Sequence, residues 1–119
     1  MTTQTAAQIA EIVAEAREAA HAAALNYLNT RLGGQDQLMC GFAWAGVSGV
    51  KGSTKLGKAL MAAGFSKSYS GGLEMWNPSG LPYQNIDLKV EGAKAFVKVL
   101  REKIIVPESA SFYHDSRLD

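Results

Sequence analysis

The chain contains a single cysteine, Cys40, among its 119 residues. This excludes an intrachain disulfide and a thiolate metal cluster built by one chain, and Cys40 reads as a small buried hydrophobe. Histidine is nearly as scarce. His21 and His114 offer no metal-ligand spacing, and although His114 stands beside Asp115, a catalytic triad is an arrangement in space and not in sequence. The sequence therefore assigns no catalytic residue, no metal and no cofactor. Long apolar runs are missing too: nothing approaches the roughly 18 residues needed to cross a bilayer. The opening MTTQTAAQIAEIVAEAREAA carries acids where a signal peptide has a basic end and an apolar stretch, so a cytoplasmic location is expected. There are only three prolines, no repeats and no low-complexity segment.

What is present suits one globular domain. Apolar residues make up 47% and charged residues 19%, far from the signature of disorder, and the length fits a single core. Net charge is +1 but unevenly spread. Residues 1–37 carry −2, residues 38–107 carry +5 from nine cations against four acids, and the remainder carries −2. An anionic partner, including nucleic acid, therefore belongs to the middle of the chain.

Thr5 stands three residues before Gln8, the spacing of a capping box, and no glycine or proline interrupts the chain until Gly33 and Gly34. One long helix is predicted. Ile9, Ile12, Val13, Ala16, Ala20, Ala23 and Tyr27 share its apolar face. About 28 residues at ~1.5 Å each span roughly 42 Å, whereas a compact body of the rest is about 30 Å across. The helix is thus expected to overhang, with residues 1–34 either an oligomerisation element that packs on another subunit or a helix laid across the sheet with a frayed acidic end, beside an α+β core of 38–119.

Leu38 to Val47 alternates large and small side chains and predicts a strand, with Leu38, Cys40, Phe42 and Trp44 on a buried large face and a helix close against Gly41, Ala43 and Ala45. A short helix from Thr54 to Ala63 follows, ended by Gly64. Phe65–Ser70 and Leu73–Asn77 flank Gly71-Gly72 and predict a hairpin. A two-residue loop would set Lys67 opposite Trp76 and Tyr69 opposite Glu74, placing Phe65, Lys67, Tyr69, Glu74 and Trp76 on one face. A strand over Tyr83–Ile86, a helix from a cap at Asp87 to Lys103, a last strand over Ile104–Pro107 and a polar tail complete the reading. The class is α+β: a small antiparallel or mixed sheet of four to five strands with two further helices.

Candidate binding residues fall into four groups. The glycine-rich GVSGVKGSTK, with Lys51, Ser53 and Lys55, can cradle a phosphate, although the lysine and glycine order departs from a Walker loop. An aromatic hairpin bearing Lys67 and Trp76 is a stacking platform for a base, or simply sheet core. Lys94, Lys98 and Arg101 form a basic helix stripe, most simply a solvated face. Trp76, Asn77, Ser79, Gln84 and Asn85 are the densest set of neutral hydrogen-bonding side chains, able to read a ligand or merely to hold turns and caps.

The stretches CGFAWAGV, GLEMWNPSG, QNIDLKVEGAKAFVKVLR and SRLD together resemble a family of small, uncharacterised proteins of tailed bacteriophages, over about residues 38–119. The resemblance implies a phage accessory protein in the host bacterial cytoplasm, and it brings no assigned active site. On that footing two functions are expected. One is a homo-oligomeric binder that sequesters a small anionic, nucleotide-type signal of host immunity, using the residues above and Arg117. The other binds nucleic acid or inhibits a host protein, as in opposing restriction or CRISPR machinery.

Overall fold

The computed structural model describes residues 4–69 and 71–119. Helix α1 runs over Ala6–Thr30 and starts from the capping box that the sequence predicts. The Thr5 hydroxyl accepts from Gln8 N–H at 3.1 Å, and the Gln8 side chain accepts from Thr5 N–H at 2.8 Å. Beyond α1 the elements are β1 (Gly41–Ser48), α2 (Lys55–Ala62), β2 (Ser66–Lys67), β3 (Leu73–Trp76), α3 (Ile86–Lys103) and β4 (Ser111–Leu118). The four strands form one antiparallel sheet in the order β2-β3-β1-β4. With α2 joining β1 to β2 and α3 joining β3 to β4, this is the connectivity of the split βαβ motif, preceded by an extra helix.

All three helices share one face of the sheet. Ala45 and Val47 of β1, Leu73 and Met75 of β3 and Phe112 of β4 form a single core with Ile9, Val13, Leu60, Phe96, Val97 and Leu100 from the helices. The alanine stripe of α1 lies against α3, where Gly92 permits close approach: a Cβ there would stand 3.4 Å from the Ala20 carbonyl and 2.9 Å from Ser79 Cβ. Gln4 reaches Lys103 at the far end of α3, so the two helices run antiparallel along their length. Helix α1 does not overhang, because its last turns are covered by a second cluster in which Ala24, Leu28 and Leu32 meet Leu88 of α3, with Leu81 and Tyr83 beside them. The longest dimension is 46 Å and buried positions continue from Ile9 to Leu32. The alanine face offered to a second subunit is occupied within the chain.

Several other expectations are corrected. The small face of β1, not the large one, is the buried face: Ala43 and Ala45 are fully enclosed, Phe42 and Trp44 are only partly buried, and Leu38 precedes the strand at 83% exposure. Only small side chains fit beneath helices packed this closely. In the hairpin, Ser66 pairs with Glu74 and Lys67 with Leu73, so the connection is longer than two residues. The odd shift in register reverses the faces. Phe65 is therefore core and Trp76 is on the opposite face, 43% exposed. Ser70, the end of the predicted first hairpin strand, lies outside the described residues.

Tyr83–Ile86 contributes only a bridge between Asn85 and Cys40, and α3 is capped by Asn85, with Asp87 in its first turn. Ile104–Pro107 forms no strand. The polar segment after it does, as β4. Its backbone is partly closed to further pairing: Arg101 donates two hydrogen bonds to the Phe112 carbonyl, at 2.7 and 3.0 Å, and the Asp115 side chain accepts from Ser116 N–H at 2.8 Å.

Candidate functional site on the uncovered sheet face

Side chains alternate across a strand, so what the helices do not cover is fixed by register. Trp44 of β1 lies between Trp76 of β3 and Asp115 of β4, Gly46 lies between Glu74 and Tyr113, and Phe42 is paired with Arg117. These residues make an aromatic strip across the two central strands and one edge strand. Trp44 and Trp76 stack at 4.6 Å between ring centroids, and Phe42 meets Trp76 edge-on at 6.0 Å. Gly46 has its own reason to lack a side chain: a Cβ there would collide with the Tyr113 ring, which lies across it. The Trp76 indole N–H donates to Glu74 at 2.8 Å, which fixes the ring's orientation.

Two cations converge on one end of the strip. The Arg117 guanidinium carbon is 5.6 Å from the Phe42 centroid and 5.9 Å from that of Trp76, and Lys89 Nζ is 5.4 Å from Phe42. Lys89 is only 7% exposed and donates to the Gly41 carbonyl at 2.8 Å. Among the described residues neither cation has a carboxylate within ion-pair distance; the ion pairs there are Lys94–Glu91 and Lys103–Glu15. A buried ammonium without a counter-charge is costly, so this end of the strip carries uncompensated positive potential. At the other end the Tyr113 phenol is pushed above its ordinary pKa, first by burial and then by the neighbouring Glu74 and Asp115 carboxylates.

The residues singled out from the sequence separate into three places. Trp76 and Arg117 meet on the strip. Lys51, Ser53, Lys55 and Lys67 gather around the β1–α2 connection: Thr54 caps α2 through Gly57 N–H, and Lys67 Cε lies beside Gly52. Asn77, Ser79 and Asn85 serve the fold through their side chains, and Gln84, exposed at its side chain, through its backbone. Asn77 donates to the Leu81 carbonyl at 3.0 Å and accepts from the Ser79 hydroxyl, which is buried. Asn85 caps α3 and donates to the Gln37 and Leu38 carbonyls. Gln84 is tied through its backbone to Gly41 and Asp36. A cavity of about 330 Å³ nevertheless opens beside this turn, lined by Arg17, Ser66, Glu74, Trp76, Asn77 and Pro78 among others. His21 contacts the Ser79 carbonyl from α1, while His114 lies on β4, so the two histidines do not meet.

Phe42, Trp44, Lys89 and Tyr113 are the site residues that sequence reasoning missed. The available signal was the small face of β1 itself, which lets α3 lie close against it and leaves the aromatic face uncovered. Among the described residues no cluster of three or more His, Cys, Asp or Glu side chains is placed to hold a metal ion, and no helix is long and apolar enough to cross a membrane. Comparison of the chain with family models, with curated proteins and with solved structures finds no match.

Proposed function

We propose that this protein binds a small anionic ligand of the nucleotide type on the uncovered sheet face, with a base stacked on Trp76 and a phosphate at Arg117. One observation carries the reading: the Phe42, Trp44 and Trp76 rings are gathered under two cations that have no carboxylate partner among the described residues. Flat rings accept any nucleobase, and a guanidinium beside them takes a phosphate through paired N–H donors. Lys89 adds positive potential at the same ring, and an arriving anion offsets the cost of its burial. The likeness to small tailed-phage proteins supplies a setting, the sequestration of a nucleotide signal of host immunity in the bacterial cytoplasm.

The test is a titration of tryptophan fluorescence with the four ribonucleoside monophosphates. A saturable change is expected in the unaltered protein, with loss in Trp76→Ala and weakening of about tenfold in Arg117→Ala, the value of one charge-assisted contact. No saturable change with any nucleotide, in isothermal calorimetry as well as fluorescence, refutes the proposal. Native mass spectrometry of protein purified from infected cells reads subunit count and retained ligand together.

Single-stranded nucleic acid is a second reading of the same surface, favoured by the placement of aromatic residues on the two central strands of a four-stranded sheet. Glu74 and Asp115 on this face, and the location of Lys51, Lys55, Lys94 and Lys98 on helices and loops, count against a continuous phosphate track. A steep fall in affinity with salt, with a slope of roughly 0.7 per phosphate neutralised, would favour this second reading.

A further inference from the structure

We infer that the ligand is a short oligonucleotide of two or three residues, whose far phosphate is held by Lys51 at the opposite end of the aromatic strip from Arg117. This rests on the reading of Trp76 and Arg117 as a nucleotide site. The strip does not stop at the tryptophan pair. It continues to Tyr113, which also lines a cavity of about 380 Å³ together with Ser48, Gly49, Lys51, Gly71 and Gly72. Tyr113 is thus shared between the stacking surface and a separate opening between two loops.

That opening has the chemistry of an anion subsite. Lys51 is exposed and, among the described residues, makes no ion pair. Gly49, Gly71 and Gly72 have φ of +78°, +104° and +91°, and nothing stands within 4 Å of where a Gly71 Cβ would be, so the loop backbone there is bare. The Tyr113 phenol, placed over Gly46 and lining the cavity, supplies a hydroxyl donor between the two ends.

Length decides the size of the ligand. From Phe42, beside Arg117, to Ser48, at the cavity, is six residues of antiparallel strand, or roughly 20 Å at ~3.4 Å each. A mononucleotide stacked at Trp76 with its phosphate at Arg117 leaves Tyr113 and Lys51 without contact. Four-stranded sheets with exposed aromatic side chains typically stack two or three bases, and here the tryptophan pair and Tyr113 provide successive platforms. Glu74 and Asp115 flank the middle of the strip, which disfavours a long polyanion laid across the face and favours a ligand with few phosphates.

The experiment is a length series of 5′-phosphorylated oligoadenylates of one, two, three and six nucleotides, titrated into the full chain and into Lys51→Gln. Affinity is expected to rise about tenfold from one to three nucleotides and to change little at six. Lys51→Gln should remove that gain while leaving the mononucleotide unaffected, since its side chain is far from Trp76. If one and three nucleotides bind equally and Lys51→Gln changes nothing, the inference fails and the mononucleotide site stands. A rise that continues to six nucleotides also overturns it, in favour of a polymer track. Absence of binding at every length removes the underlying site as well.

Discussion

Replacing Gly57 by alanine sets two physical effects against each other, and the structure says which wins. Gly57 lies in the first turn of α2, where alanine is favoured over glycine by about 1 kcal/mol. On propensity alone Gly57→Ala stabilises. A Cβ at this position, however, would meet the β1–α2 connection: it would stand 2.8 Å from the Lys51 carbonyl carbon and 3.0 Å from Gly52 Cα, and closer still to the Lys51 oxygen. These are backbone atoms and cannot rotate away. That same oxygen accepts from Thr54 N–H at 3.1 Å and from the Thr54 hydroxyl at 2.7 Å, and the hydroxyl in turn accepts from Gly57 N–H at 3.0 Å.

Moving the loop aside loosens all three bonds, at about 1 kcal/mol each. The net effect is a destabilisation of about 2 kcal/mol, which for a chain of this length lowers Tm by about 8 °C. Thermal unfolding by circular dichroism, with urea melts to show an unchanged m value, reads the result. Lys58→Ala, on the exposed side of the same helix, is the control and should shift stability by less than about 0.5 kcal/mol. A Gly57→Ala protein as stable as the parent, or more so, refutes the steric argument and with it the close seating of the loop that carries Lys51.

Asn85→Ala removes a buried cap with two further donor bonds, and a loss of about 2 to 3 kcal/mol is expected in a urea melt. Thr5→Ala breaks the exposed capping box and should cost about 1 kcal/mol by the same assay. Tyr113 titrates above its ordinary value of 10.0, so the folded state holds its proton where the unfolded chain releases it; stability is full below pH 10 and declines as pH rises through the folded pKa. Ultraviolet titration of the phenol follows this directly, and Glu74→Gln should move the midpoint down.

Local chemistry made much of the fold legible. The capping box of α1, the glycines that end it, the Thr54 cap and the apolar positions Leu88, Phe96, Val97, Leu100 and Ile104 of α3 are where periodicity and end signals place them. Facing was harder. The β1 sequence alternates cleanly between large and small side chains, but alternation does not say which face is inside; that depends on how closely a helix approaches, and here α3 lies against the small face. Hairpin register failed for a related reason, because Gly71 and Gly72 mark a turn without fixing its length.

Strand β4 was hidden because an edge strand on a half-covered sheet needs only Phe112 and few other apolar residues to hold it. In the candidate site, Trp76 and Arg117 were found from the sequence and are brought together. Asn77, Ser79 and Asn85 are polar residues held by turns and a cap, and composition cannot distinguish such residues from ligand contacts.

A sheet whose outer strands are open tends to recruit a neighbour, and many assemblies grow that way. Here one border is a strand of two residues, and the other has a carbonyl occupied by a guanidinium and an amide occupied by a carboxylate. Lateral growth into ribbons or swapped hairpins is thereby discouraged. Self-association, where it occurs, falls to helix surfaces or to the aromatic face, and in the latter case a second copy and a ligand would compete for the same ground.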